Sequence, residues 1–188
     1  VEIEMSGSDV LAVLTGVTLA AACGLRAFLP LLALGIAARS GLVHLGPAFD
    51  WLAGNPALIA LGVATAVEIT ADKIPIVDHA LDVAGTVLRP VAAIVAVLGA
   101  APHLPPGIAA LLAIAAGAGA LGVHAAKAKA RIGSTALTLG HLNPLLSFAE
   151  DGTVIAVAVA AVLIPVAAVI AMALIVALLV RWRARRSR

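Results

Sequence analysis

The 188-residue chain has a single cysteine, Cys23, and only 12% of its residues are charged. One thiol cannot close an intramolecular disulfide or supply the usual thiolate metal site, so a disulfide scaffold and a zinc ribbon are both excluded. The shortage of charge excludes a water-soluble globule. Hydrophobic residues make up 63% and the mean hydropathy is +1.15, against roughly 45 to 50% apolar residues in soluble domains. Runs such as Val91 to Ala101 and Ile155 to Val180 leave a helix no polar face. Lipid is therefore the expected solvent. A basic n-region is also missing: Val1 to Asp9 is acidic, so the first helix is read as retained, not as a cleavable signal. At about 20 apolar residues per crossing, residues 1–188 are read as one transmembrane domain with no room for a soluble catalytic domain.

Proline, glycine and polar punctuation divides the chain into apolar segments at 10–38, 56–72, 77–101, 106–130, 133–149 and 151–181. This predicts an all-α polytopic membrane protein of about six transmembrane helices, some broken or kinked. The first segment is too long for one straight crossing and holds Gly24, Arg26 and Pro30 in its middle, which predicts a break there. The fifth contains Gly140, His141, Asn143 and Pro144 and reads as a segment broken at membrane depth, either crossing or re-entrant. Pro165 is expected to kink the sixth without ending it.

Counting Lys and Arg near helix ends favours six crossings with both termini cytoplasmic at an inner membrane. Lys73, Arg89, Lys127, Lys129 and Arg131 then share a side with the basic tail 182–188. That tail surrounds Trp182, follows Arg181, and is read as an anchor on anionic lipid, with no nucleic-acid partner. The 40–55 loop is placed outside, with Phe49 and Trp51 at the interface. Gly16 to Ala20 with Arg26 downstream echoes Gly122 to Ala126 with Arg131 downstream, and Asn55-Pro56 echoes Asn143-Pro144. This echo predicts a three-plus-three inverted repeat.

The informative residues are the ionisable ones, because a charge near the bilayer centre costs at least about 2.5 to 3.5 kcal/mol on insertion scales. Glu68 and Asp72 are four apart on one helical face beside Lys73; Asp78 and Asp82 repeat that spacing after Ile74-Pro75-Ile76, with Arg89 further along. Asn143, Ser147, Glu150 and Asp151 follow the basic residues Lys127, Lys129 and Arg131. Six full crossings separate Glu150 and Asp151 from Asp72, whereas a re-entrant fifth segment brings them to one side. Salt bridges at helix ends account for many of these groups, with Lys and Arg stems snorkelling outward. They account less well for Arg26, which lies mid-segment and needs a carboxylate or freed carbonyls inside the bundle.

Glu68 to Asp78 through Asp82 to Arg89-Pro90, together with Asn143 to Asp151, resembles the two signature blocks of a bacterial membrane-protein family catalogued as domain of unknown function 4126. Gly24-Leu25-Arg26-Ala27 resembles its N-terminal block, and Ile76 stands where that family is expected to have glycine. The resemblance implies a compact polytopic fold and marks Arg26, Asp72, Lys73, Asp78, Asp82, Arg89, Asn143, Ser147, Glu150 and Asp151 as motif positions. It implies no activity.

Three functions are weighed. The first is a small transporter or permeation pathway for a polar or ionic solute, coupled to protons or a cation. Arg26 would then hold an anionic group or act as counter-ion, Glu68, Asp72, Asp78 and Asp82 would take a cation or proton, and Asn143 and Ser147 would line the broken segment. The second is an intramembrane enzyme on a phosphorylated lipid, with carboxylates spaced four apart holding Mg²⁺ and Lys73 and Arg89 receiving phosphates. The third is a scaffold or lipid-binding subunit. The short helices argue for a homo-oligomer, with Gly117, Gly119 and Gly122 as small-residue contacts.

Overall fold

A computed structural model describes residues 6–73, 81–139 and 141–165, the single positions Ile170, Leu174 and Ala177, and the backbone alone of 75–80. The Asp78 side chain and the tail 182–188 lie outside the described residues. Among the described residues the continuous α-helices are α1 (Gly7–Cys23), α2 (Phe28–Arg39), α3 (Asn55–Ala71), α4 (Pro75–Ala100), α5 (Pro106–Thr138) and α6 (Asn143–Leu163). A 3₁₀ helix at Pro47–Ala53 leads into α3 at a 63° bend. No strand occurs among the described residues.

Among the described residues three helices are long and apolar enough to cross a membrane, spanning Leu81–Ala100 within α4, Pro106–Thr138 and Asn143–Leu163; the bent pair ahead of α4 makes up to four. The bundle is inside out for water. Its largest fully buried side chains are Arg26 and Arg89, while Val83 is 75% exposed and Leu111 69%. Exposed valine, leucine and isoleucine around buried arginine is the distribution that lipid selects.

The first apolar segment is broken where expected, and the break reverses the chain. α1 starts at a capping box made by Ser6 and Asp9, and Asp9 meets His103 in the α4–α5 turn at 3.0 Å. Further along, the Thr15 hydroxyl donates to the Ala161 carbonyl of α6 at 3.0 Å. α2 then returns, so that Ile36 to Ser40 lie beside Ala158 to Leu163. α1 and α2 therefore form an antiparallel hairpin, rising only about 25 Å and 18 Å at 1.5 Å per residue. Gly24 permits the turn to sit against α5, since a Cβ there would come within 2.5 Å of the Val123 Cβ.

Successive helices alternate in direction. The turns after α1, α3 and α5 gather at one end, called here the lower end; the start of α1, the 40–54 connection, the α4–α5 turn and the end of α6 lie at the upper end.

Two expectations are corrected. The fifth segment, 133–149, is not a separate helix: its first half completes the 33-residue α5 and its second half begins α6. His141 to Asn143 fall at the tip between them, where Leu139 closes α5 in the left-handed region at φ 52°. A turn at the bundle's end uses the helix-breaking residues. Pro165 also does more than kink its helix: the α6 ladder stops at Leu163 and Ile164 leaves the helical region, because a residue before proline is pushed toward extended backbone, and the backbone is helical again at Pro165, Ile170, Leu174 and Ala177.

Candidate functional site

Arg26 occupies the turn between α1 and α2 with no exposed surface. Its Nη2 lies 2.7 Å from Asp72 Oδ2 and 2.5 Å from Asp151 Oδ1. Nη1 donates to the Glu68 carbonyl at 3.2 Å, and Nη2 also donates to Ser147 Oγ at 3.1 Å. Two elements, the end of α3 and α6, thus supply the partners that a guanidinium in the apolar interior requires.

Glu68 has a different task. α2 begins without a side-chain cap of its own, and the Glu68 carboxylate accepts from the Ala27 and Phe28 amides at 2.9 and 3.3 Å. A carboxylate on α3 thereby satisfies the orphan donors and positive dipole end of α2.

Asp72, the C-cap of α3, collects the most cations. Arg131 binds it through both terminal nitrogens, at 3.2 Å to Oδ1 and 2.6 Å to Oδ2, and Lys127 Nζ is 3.5 Å from Oδ2. Ser147 donates to the same Oδ2 at 3.2 Å. Lys127 and Arg131 also reach Glu150, at 3.1 and 3.0 Å. Lys73 donates to the Ile69 carbonyl at 2.9 Å, pairs with Asp151 at 3.3 Å, and lies 4.7 Å from the Phe148 ring centroid.

Beside this network, Arg89 and Asp82 of α4 meet His124 of α5. Arg89 contacts His124 Nδ1 and stands 3.9 Å from Asp82. Because a guanidinium can only donate, His124 Nδ1 accepts, and the protonated Nε2 donates to the Asp82 carbonyl at 3.1 Å. Gly85 makes room for this, since a Cβ there would lie 3.1 Å from Arg89 Nε.

Of the residues expected from sequence, Arg26, Glu68, Asp72, Lys73, Ser147, Glu150 and Asp151 converge at the lower end, with Asp82 and Arg89 adjoining. The apparent conflict between Asp72 and Asp151 disappears because the α5–α6 tip lies at that same end. Asn143 does not join them: its amide donates to Thr135 Oγ1 at 2.9 Å across the tip. Glu68 caps α2, and Asp82 turns to Arg89 on its own helix.

Lys127, Arg131 and His124 belong to the site without having been expected there. Their signal is register: Ala113, Gly117, Ala120, His124, Lys127 and Arg131 form one buried stripe on α5 at alternating spacings of four and three. The stripe changes from small apolar to basic without leaving its face. Among the described residues no three or more His, Cys, Asp or Glu side chains group to hold a metal.

No match to the chain was found among curated proteins or among solved structures. One family model does match, over residues 13–185 and so across both the hairpin that carries Arg26 and the α6 residues that hold it; the chain belongs to the family described as Domain of unknown function (DUF4126).

Proposed function

We propose that the protein is a small integral-membrane transporter or permeation pathway for a polar or ionic solute, coupled to protons or a cation. The supporting observation is Arg26, wholly buried at a helix-hairpin turn and shared between Asp72 at the end of α3 and Asp151 on α6. A charge held by two separate helices gives a two-position ion pair: displacement or protonation of either carboxylate shifts Arg26 to the other. Irregular backbone and fixed charges replacing a solute's water are the working parts of membrane pathways.

The basic residues Lys73, Lys127, Lys129 and Arg131 belong to the lower end, which on the charge rule faces the cytoplasm of the inner membrane. The start of α1 then lies outside, in place of the cytoplasmic N-terminus expected from sequence, because the first segment makes two passages. An inverted repeat takes a new alignment under this reading. α1 and α5 run the same way, so the Gly16 and Gly122 echo does not relate inverted helices, whereas α1–α3 and α4–α6 run in opposite senses throughout. Gly119 and Gly122 have open space around them, suited to close packing against a second copy.

The test is flux in proteoliposomes, screening protons, monovalent cations and small anions for wild type, Arg26→Gln and Asp151→Asn. The reading expects one solute class to move above empty vesicles and both variants to slow it; equal leakage in all preparations would discard it.

A further inference from the structure

Four donors converge on one oxygen of Asp72. Arg131 Nη2 at 2.6 Å, Arg26 Nη2 at 2.7 Å, Ser147 Oγ at 3.2 Å and Lys127 Nζ at 3.5 Å all face Oδ2. A carboxylate oxygen offers about two lone-pair directions, so the donors outnumber what that oxygen can accept. Three are cationic and buried, Lys127 and Arg131 being 4% and 6% exposed. Donors held in excess around one small oxyanion are matched better by a group with more oxygens. Guanidinium forks paired with an ammonium and a hydroxyl form a recurrent recognition set for phosphate.

We propose that Arg26, Lys127, Arg131 and Ser147 form a binding site for a tetrahedral oxyanion, phosphate or sulfate in class, and that the Asp72 carboxylate is its tethered occupant. As the identity of the solute, this rests on the transport reading above; as the chemistry of the site, it stands on the geometry alone. Exchange is a substitution of one anion for another. The incoming oxyanion takes the guanidinium and ammonium donors, and Asp72, at the C-cap of α3, withdraws with its helix end. Glu150, bound to Lys127 and Arg131, and Asp151, bound to Arg26, remain as the second partners of the same cations. Glu68 stays engaged at the α2 amides and does not compete.

The experiment titrates the full chain, purified in phosphate-free detergent buffer, with sodium phosphate, sulfate, formate or gluconate at constant ionic strength. Binding is read by calorimetry and by Tm for wild type, Asp72→Ala and the double variant Asp72→Ala/Arg131→Gln. Asp72→Ala is expected to bind phosphate or sulfate at least about tenfold more tightly than wild type, the worth of one freed charge-assisted hydrogen bond. Formate should bind more weakly, and the double variant should lose the gain. If Asp72→Ala folds only when phosphate is present and not with gluconate, that is the same result read through folding. Asp72→Asn, which keeps the side-chain volume, repeats the titration.

A short-chain phosphatidic acid arm separates the sources. Binding of the lipid without free phosphate assigns the site to a headgroup, and binding of both assigns it to the oxyanion itself; either supports the site. Phosphate, sulfate and phosphatidic acid all failing to exceed gluconate in both Asp72 variants overturns it. Cation flux with no oxyanion binding would leave the transport reading standing and remove this one, while binding without flux would do the reverse.

Discussion

Arg26 and Asp72 face each other at 2.7 Å with side-chain exposures of 0% and 1%. The pair joins the turn of the α1–α2 hairpin to the end of α3, where neither charge has water to fall back on. Removing Arg26 takes a buried cation from Asp72, which keeps Lys127 and Arg131, and from Asp151, which keeps Lys73; breaking a buried pair costs up to about 3 to 5 kcal/mol.

Arg26→Ala should therefore lower stability by up to that amount, about 3 to 5 kcal/mol, in a detergent unfolding titration. Arg26→Met with Asp72→Leu should recover little of the loss, because the buried Lys127 and Arg131 then lose their shared carboxylate. Equal stability of Arg26→Ala and wild type would show that the network is solvated.

Glu68→Ala should loosen the start of α2 by about 0.5 to 2 kcal/mol, the usual worth of a helix cap. Amide hydrogen exchange at Ala27 and Phe28, the two donors it holds, is the local readout. Faster exchange confined to those positions is expected, and Glu68→Gln should restore part of the protection.

Gly24→Ala places a methyl 2.5 Å from Val123 Cβ and 2.8 Å from the Ala120 carbonyl oxygen. Backbone cannot yield as a side chain can, so overpacking of about 1 to 3 kcal/mol is expected. Val123→Ala in the same chain should relieve the side-chain clash and leave the carbonyl one. Full recovery would contradict the close approach of the hairpin turn to α5.

Gly85→Ala sets two effects against each other. Alanine favours a helix over glycine by about 1 kcal/mol, while the new methyl meets the flexible Arg89 guanidinium at 3.1 Å. Stability should change little, but Arg89 should leave His124. The nitrogen chemical shifts of the His124 ring then lose their fixed Nε2-protonated signature; an unchanged spectrum counts against the contact.

Cys23 is fully buried, so maleimide should label it only after unfolding, leaving the native chain a clean background for introduced cysteines. Ser8→Cys and His103→Cys should label together from one face of oriented vesicles, and His141→Cys from the other. Labelling of Ser8→Cys and His141→Cys from the same face would break the alternation of the helices.

The helical class and the limits of α3 and α4 were legible because uninterrupted apolar runs end at strong punctuation: Asn55-Pro56, Asp72, Pro75 and the proline-rich turn at 102–106. The break at Arg26 was legible from Gly24 and Pro30, but the reversal of the chain was not, since local sequence marks where a helix stops and not where the next one heads. The α5–α6 boundary was misjudged because Lys127, Lys129 and Arg131 look like a helix end, whereas the first and last of them continue a buried stripe. Polar residues normally signal solvent, and here their partners, Asp72 and Glu150, come from other helices that no local pattern reveals.

The hairpin also imposes an order on biosynthesis. Arg26 emerges from the ribosome before Glu68, Asp72, Ser147 or Asp151 exists, and α2, at 12 residues, is shorter than the roughly 20 residues that partition into a bilayer alone. The nascent α1–α2 pair must wait near the interface with its guanidinium hydrated until α3 arrives, and it is locked only when α6, among the last helices made, brings Asp151. Chains truncated before Asn143 should therefore be handed to quality-control proteases, although every apolar segment they contain is intact.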